Sequence, residues 1–247
     1  MFKDYLLSLL EVDQFNIRNN SAFRFWYNHI RNCANKRDGN IFEFGVYRGK
    51  SLIAAALILK ELKSKKKIFG FDTFKGFPSY SIQDKLNNFK NSKYFTSKIF
   101  REHQKFINIK KFTTNLSKFD TSNISTSGNF SKTSLKLVKK KIDYFNLKNI
   151  EIIEGDFKKT VPKFFTSYKK KISSCNIDCD LFSGYNVILP FVYPLLTKGG
   201  HIHLDEYYSL KFPGPKIAVD DFCKKNKIKP KKNITRKGEF PRYYLTK

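Results

Sequence analysis

The sequence predicts an α/β fold with a doubly wound, mostly parallel sheet of seven strands, N-terminal helices and one inserted segment. Three observations lead to this prediction. Short apolar runs that are typical of buried strands alternate along the chain with longer segments that are typical of helices. The 247 residues suit one domain with a sizeable core. Hydrophobic residues make up 40% of the chain and aromatic residues 16%, which excludes a disordered protein.

The predicted elements follow each other in the order of a parallel α/β sheet. Strands are predicted at residues 40–44, 67–72, 150–154, 172–180 and 201–205, with an antiparallel pair within 228–245. The helices between them are predicted at residues 51–63, 133–145, 161–168, 185–195 and 214–226. Ser51 is the predicted N-cap of the first of these helices, and residues 197–200 form a predicted turn. This order predicts a Rossmann-like architecture with helices on both faces of the sheet.

Two segments do not fit this alternation. Residues 1–39 precede the first strand and are predicted to form an N-terminal helical cap on the main domain, residues 40–247. The stretch 77–132 is polar and rich in Ser, Asn and Lys. A loop of this length is unusual in a compact domain and is typically functional, so we expect an insertion that covers the substrate as a lid.

Charge and cysteine content restrict the function classes. The net charge is +27, but the lysines lie in several scattered runs, which is typical of a solvated surface. We therefore expect no sequence-specific nucleic-acid partner, and an anionic small-molecule substrate or a membrane-associated glycan stays open. The four cysteines form no C-x-x-C pair, and no apolar run reaches the roughly 20 residues that span a bilayer. These features predict a cytoplasmic protein without a membrane span, and they leave a homo-oligomer open.

The first candidate motif joins the first strand to the first helix of the sheet. It reads Glu43-Phe44-Gly45-Val46-Tyr47-Arg48-Gly49-Lys50-Ser51. The spacing is one residue too short for a phosphate-binding Walker loop, and Tyr47 stands where a dinucleotide fingerprint needs glycine. The remaining pattern, acidic-x-Gly-x-x-x-Gly, resembles the first motif of class I S-adenosylmethionine-dependent methyltransferases. The predicted cofactor contacts in this motif are Glu43, Gly45, Val46, Tyr47, Gly49 and Ser51.

Further cofactor contacts are predicted after the next two strands. Asp72 ends the second strand, where nucleoside-binding sheets hold ribose hydroxyls, and Thr73 follows it. After the third strand, Asp156 could accept a hydrogen bond from an adenine amine, and Phe157 could flank the ring. The alternative for Asp72 is an N-terminal cap of the following segment, and the alternative for Asp156 is a turn residue.

Four carboxylates follow the fourth and fifth strands. Asp178 and Asp180 come after the fourth strand, and Asp205 and Glu206 after the fifth. Because the carboxyl ends of parallel strands meet at one edge, these groups should crowd together and repel each other unless a proton or a cation neutralises them. Asp178, Asp205 and Glu206 could bind a hard divalent ion such as Mg²⁺ through oxygen. The alternatives are helix caps and partners of surface lysines.

A histidine-based metal site is a rival interpretation of the same strand. His201, His203 and Asp205 alternate, which places them on one face. A metallohydrolase needs further histidines, and the chain has only His29 and His103 besides. We expect instead that the two strand histidines pack beneath a helix.

Taken in order, these motifs resemble the macrocin O-methyltransferase family. The resemblance runs from about residue 40 to 225 and includes Gly70-Phe71-Asp72-Thr73-Phe74-Lys75-Gly76-Phe77-Pro78 and Asp178-Cys179-Asp180-Leu181-Phe182. It implies methylation of a sugar or another hydroxyl with S-adenosylmethionine and magnesium. Asp178, Asp205 and Glu206 match the metal-ligand positions, and Asp180 matches the general base. Glu206 stands where the family commonly has a second aspartate.

Two other functions remain alternatives at this point. The positive charge favours a nucleic-acid methyltransferase, although the sequence has no base-flipping segment or basic aromatic module. A protein that binds S-adenosylmethionine without turning it over is the other alternative.

Overall fold

The structure is a computed structural model that describes residues 3–16, 21–125 and 127–247. Seven strands form its sheet: β1 Asn40–Phe44, β2 Ile68–Asp72, β3 Ile150–Glu154, β4 Ile172–Ile177, β5 Leu196–Leu204, β6 Lys231–Lys232 and β7 Tyr243–Thr246. In the described part of the chain, eight α-helices accompany the sheet: α1 Lys3–Leu9, α2 Arg24–Cys33, α3 Lys50–Glu61, α4 Ser97–Thr114, α5 Leu135–Tyr144, α6 Phe157–Ser167, α7 Phe182–Leu195 and α8 Gly214–Asn226. Within the described ranges, no helix is long and apolar enough to cross a membrane.

The sheet confirms the doubly wound prediction. Its strand order is β3-β2-β1-β4-β5-β7-β6. The first five strands of the chain are parallel, whereas β7 pairs antiparallel with both β5 and β6. The chain runs outward from β1 to β3 and then returns to the other side of β1 with β4. The carboxyl ends of β1 and β4 therefore form the topological switch point, where open α/β sheets bind their ligands.

Alternating side chains on the strands give the sheet two different faces. Phe42 and Phe44 of β1 pack with Phe69 and Phe71 of β2 on the face covered by α6 and α7. Ile41 points to the opposite face, into a second cluster with α2 and α3. Helices cover both faces, so the sheet is held rigidly, and only its edges are open to ligands.

Several predicted boundaries are wrong. Ser51 lies inside α3, and the N-cap is Gly49, whose φ of +80° disfavours other residues. The fourth strand ends at Ile177, so the acidic residues that follow it belong to a loop. The predicted turn 197–200 lies within β5 as an irregularity, because Ile172 of β4 pairs with Leu196 while Ser174 pairs with His201.

Parts of the two unusual segments lie outside the described residues. These are residues 1, 2 and 17–20 of the predicted helical cap and residue 126 of the predicted insertion. The described part of the cap contains α1 and α2. The insertion 77–132 contains two short 3₁₀ turns, Ile82–Asp84 and Leu86–Lys90, followed by α4.

Asp84 anchors the insertion to the rest of the protein. It is fully buried, and its two carboxylate oxygens accept hydrogen bonds from Phe182 N at 2.8 Å and from Ser81 N at 2.8 Å. The first of these donors is the opening residue of α7, so the carboxylate satisfies a free N–H at a helix start. Gly214 at the start of α8 packs so closely that a Cβ there would lie 2.0 Å from Asp84 Oδ1.

We predict that Asp84→Ala destabilises the protein by about 2–4 kcal/mol, because two buried N–H groups lose their acceptor. Chemical unfolding of the variant measures the loss. Asp143→Ala is the matched control: this aspartate is exposed on α5, and its removal should change stability by less than about 0.5 kcal/mol. Equal stabilities for the two variants would contradict the anchoring role.

Candidate active site

The loop after β1 is shaped by its contact with the loop after β4. Gly45 has a φ of +97°, and a Cβ there would lie 1.7 Å from the carbonyl oxygen of Asp178. Asp178 N donates to Phe44 O at 2.9 Å in the same region. The chain itself therefore requires glycine at position 45, and the same residue also lines the cleft described below. The consequence is a close junction of the two loops at the switch point.

A cleft that is partly open to solvent lies at this junction. The structure brings eight of the predicted site residues into its lining: Gly45, Tyr47, Asp72, Thr73, Asp156, Phe157, Asp178 and Asp180.

Four predicted cofactor contacts do not line the cleft. Glu43 is fully buried beneath it, where its Oε1 accepts from Ser51 Oγ at 2.5 Å and from Asn176 Nδ2 at 2.9 Å. Val46 packs in the core, and Gly49 starts α3. The sequence pattern identified the right loop, but alternate residues along it point inward and support the loop rather than reach the cleft.

Asp72 and Asp156 also have structural roles, although Asp72 caps none of the described helices and Asp156 is a helix N-cap rather than a turn residue. The carboxylate of Asp72 accepts from Tyr47 N and Phe74 N, both at 2.7 Å, and so ties the loops after β1 and β2 together. Asp156 is the N-cap of α6 and accepts from Lys158 N at 2.8 Å. A carboxylate oxygen can accept more than one hydrogen bond, so both residues can still serve a ligand in the cleft.

The insertion supplies cleft residues that the sequence did not single out. Phe77 and Pro78 come from its start and Phe130 from its end, and all three line the cleft. Tyr47 and Phe130 meet edge to face with ring centroids 5.4 Å apart. This wall is apolar and aromatic. The only sequence signal that could have identified this wall was the presence of an aromatic residue next to a predicted boundary of the lid.

The acidic residues come together as predicted. One carboxylate oxygen from each of Asp178, Asp205 and Glu206 lies within 4.8 Å of the others. Burial, followed by repulsion from neighbouring carboxylates, raises the pKa of Asp178 and of Glu206 well above its usual range. Burial and Asp205 raise the pKa of Asp180 to about 7. Without a cation, such a cluster must keep protons, and its oxygen-only donor set fits a hard divalent ion.

Asp205 behaves differently from its neighbours because of Arg242. Burial would raise the pKa of Asp205, but the positive charge of Arg242, with smaller effects from the nearby His203 and Glu206, outweighs burial and lowers it below its usual range. Arg242 Nη1 donates to Asp205 Oδ1 at 2.8 Å. The antiparallel register of β5 and β7, in which Leu204 faces Tyr243, makes these two residues neighbours. Sequence analysis missed Arg242, since only the tail pairing reveals it.

Two other neighbours hold the cluster in place. Tyr185 of α7 donates its hydroxyl to Glu206 Oε2 at 2.8 Å, and the same oxygen accepts from Asp180 N at 3.3 Å. Asp180 has a φ of +60°, a backbone conformation that non-glycine residues adopt rarely. The loop after β4 is thus fixed from both sides.

The strand histidines pack beneath α2, as expected. His203 is fully buried and lies 6.2 Å from the ring of Phe23, and His201 stacks on His29 at 4.7 Å. Among the described residues, the only group of three or more side chains that could bind a metal is the carboxylate cluster. His201 and His203 therefore belong to no such group within the described ranges.

Comparison with known proteins agrees with this geometry. Residues 113–242, more than half of the chain, match the macrocin O-methyltransferase (TylF) family. No curated protein sequence matches the chain.

Two solved methyltransferases are similar in structure. Calicheamicin methyltransferase CalS11 has a TM-score of 0.62 and 20% identity, over 91% of this chain and 77% of that one. The O-methyltransferase NovP has a TM-score of 0.62 and 18% identity, over 98% of both chains. A second CalS11 structure, without ligand and with a TM-score of 0.54, is described as a TDP-rhamnose 3'-O-methyltransferase. At these identities the likeness shows the fold alone.

The buried Glu43 leads to a pH-dependent prediction. Burial raises its pKa from 4.5 to about 8, against the hydrogen bonds from Ser51 and Asn176. The folded protein thus holds this proton more tightly than the unfolded chain, and the wild type should lose stability relative to Glu43→Gln as the pH rises through this window. We expect a change of roughly 1.4 kcal/mol per pH unit.

Urea unfolding of both proteins at about pH 5, 6.5 and 8 measures this difference. Glu151→Gln removes an exposed glutamate of β3 and should show no such trend. A constant stability difference between Glu43→Gln and wild type across the window would contradict the assignment of a protonated, buried Glu43.

Proposed function

The chain belongs to the macrocin O-methyltransferase family and is an S-adenosylmethionine-dependent O-methyltransferase; from this premise we propose that it methylates a sugar hydroxyl with the help of a divalent metal ion. The observation that carries the proposal is the position of the carboxylate cluster. Asp178 belongs both to the cluster and to the lining of the cleft. A metal and a nucleoside cofactor would therefore meet at one residue.

The cleft residues are assigned to the cofactor as follows. S-adenosylmethionine supplies an electrophilic methyl group. Asp72 accepts hydrogen bonds from the ribose hydroxyls, with Thr73 beside it, and Asp156 and Phe157 contact the adenine. Gly45, Tyr47 and Asp178 surround the remaining part of the ligand. Their common position on the lining of one cleft supports this assignment.

The carboxylates divide into metal ligands and a base. Asp178, Asp205 and Glu206 hold the ion, which when bound supplies positive charge that acidifies an acceptor hydroxyl. Asp180 takes the proton from this hydroxyl. Its backbone is held by Glu206, and it lines the cleft, so its carboxylate can reach an acceptor there. Arg242 keeps Asp205 ionised and oriented.

The acceptor is proposed from the walls of the cleft and from the relatives. Phe77 and Phe130 give the cleft an apolar wall besides its carboxylates, and sugars present one apolar face and several hydroxyls. The description of CalS11 as a TDP-rhamnose 3'-O-methyltransferase supports a sugar acceptor. The insertion 77–132 acts as the lid that excludes water during methyl transfer, and α1 and α2 act as a cap that supports the sheet.

The charge distribution argues against a nucleic-acid acceptor. The groove richest in lysine is formed by residues 34–40, 62–66 and 169–171. These turns precede β1, β2 and β4, whereas the cleft follows the same strands. A strand of five residues is about 16 Å long, so a polyanion in this groove would lie at the opposite edge from the cleft.

The proposed hydrogen bonds between Asp72 and the ribose hydroxyls can be tested by changing Asp72 and the ligand, separately and together. Wild-type protein should bind S-adenosylhomocysteine, measured by calorimetry, and lose about tenfold in affinity for an analogue without ribose hydroxyls. Asp72→Ala should lose about as much affinity for S-adenosylhomocysteine. The affinity of this variant should not fall further with the analogue, because the two changes remove one interaction. Additive losses would contradict the assignment, and tighter binding of ATP or NAD by wild type would contradict the cofactor site.

The metal ligands and the base should separate experimentally. Asp205→Ala should weaken Mg²⁺ or Mn²⁺ binding and methyl transfer together, and excess metal should partly restore transfer. Asp180→Asn should leave the affinities for the metal and for the cofactor nearly unchanged. It should slow methyl transfer by about 10²–10⁴-fold, as for other general bases. Labelled S-adenosylmethionine with a panel of sugar acceptors provides the assay.

The matched control is Asp221→Asn, an exposed carboxylate of α8 that lies outside the cluster. It should leave metal affinity and rate unchanged. Full activity of the wild type in chelator together with full activity of Asp180→Asn would contradict the mechanism.

A further inference from the structure

The outer face of α4 carries an unusual set of exposed side chains. Lys98, Arg101, Lys105, Ile109 and Phe112 recur at spacings of three or four residues, which places them on one face of this helix. Ile109 is 61% exposed and Phe112 is 88% exposed. Leu116 follows the helix and is 45% exposed. The face is thus basic in its first half and apolar in its second.

The inner face of the same helix is firmly packed. Phe106 and Ile107 pack against a cluster that includes Leu181 and Phe77, which both line the cleft. His103 stacks on Phe89 at 4.0 Å and contacts Leu210 O through Nδ1 at 2.8 Å. The outer apolar residues therefore stand on a rigid helix and have no packing role that explains them.

The charges around the apolar residues restrict what could cover them. Lys98, Arg101 and Lys105 are exposed. Among the described residues, 3–16, 21–125 and 127–247, none forms an ion pair with these three side chains. The single acidic residue of the helix, Glu102, accepts a hydrogen bond from Tyr208. A second copy of this chain would bring the same net charge of +27 and be repelled.

We propose that the outer face of α4 docks on an anionic lipid surface, with Ile109, Phe112 and Leu116 inserted at the interface and Lys98, Arg101 and Lys105 on the headgroups. An anionic bilayer offers an apolar layer for the exposed apolar residues and negative charge for the exposed basic residues. The isolated protein provides this face with neither partner. Since α4 packs against Leu181 and Phe77, which line the cleft, docking would bring the cleft close to the lipid surface. The proposal is independent of the methyl-transfer mechanism.

Binding of the full-length protein to vesicles tests the proposal. The vesicles contain phosphatidylcholine with or without about 30% phosphatidylglycerol, at roughly 0.15 M salt. The double variant Ile109→Ser, Phe112→Ser keeps the net charge, so it separates insertion from general attraction of a basic protein. We expect it to lower the partition coefficient on anionic vesicles about tenfold or more. Ile234→Ser, at a 94% exposed apolar residue of the C-terminal tail, should change it less than about twofold.

Fluorescence provides a second measurement of insertion. The only native tryptophan, Trp26, is fully buried and gives a constant background. A Phe112→Trp reporter should shift its emission to the blue on anionic vesicles, whereas an Ile234→Trp reporter should not. Equal vesicle binding by the double variant and wild type, or an unshifted Phe112→Trp reporter, would overturn the proposal. A blue shift that appears with protein concentration alone would also overturn it, in favour of contact between two copies.

Discussion

The electrostatic repulsion among Asp178, Asp180, Asp205 and Glu206 is the constraint around which the site is built. Parallel strands bring the loops after β4 and β5 to one edge, and burial removes the water that would otherwise screen four carboxylates. Such an arrangement is costly unless something neutralises it. Arg242 neutralises only one of the four charges, through Asp205. The proposed divalent ion, held by the remaining oxygens, would explain why the protein tolerates the cluster.

The surroundings of the cluster are consistent with this interpretation. Arg242, the residue before β7, reaches Asp205, and α7 supplies the hydroxyl of Tyr185. Both contacts fix the direction of a carboxylate, which favours binding of an ion at a defined position. The same edge of the sheet forms the cleft, so the carboxylate cluster and the cleft share Asp178. Sheet topology, rather than any single motif, thus produces the proposed active site.

Much of the fold and of the candidate site could be predicted from the sequence, because the carboxyl ends of parallel strands lie at the same edge of the sheet. The order of the strands and the meeting of Asp178, Asp205 and Glu206 follow from alternation and parallel pairing. Which residues of a loop face a ligand could not be predicted, since Glu43 and Ser51 turn inward to bond each other. Arg242 was missed because its contact depends on the register of a distant antiparallel strand. Phe130 was missed because the path of a long insertion leaves no periodic signal.

The most direct test of the central claim is a crystal structure determined with Mn²⁺, using anomalous scattering to locate the ion. The account predicts one strong peak at the cluster, with oxygens of Asp178, Asp205 and Glu206 about 2.0–2.6 Å from the ion. A cluster without a peak at millimolar Mn²⁺, or an ion bound at another site while the carboxylates hydrogen-bond to each other, would contradict it. In that case protons rather than a metal would neutralise the cluster.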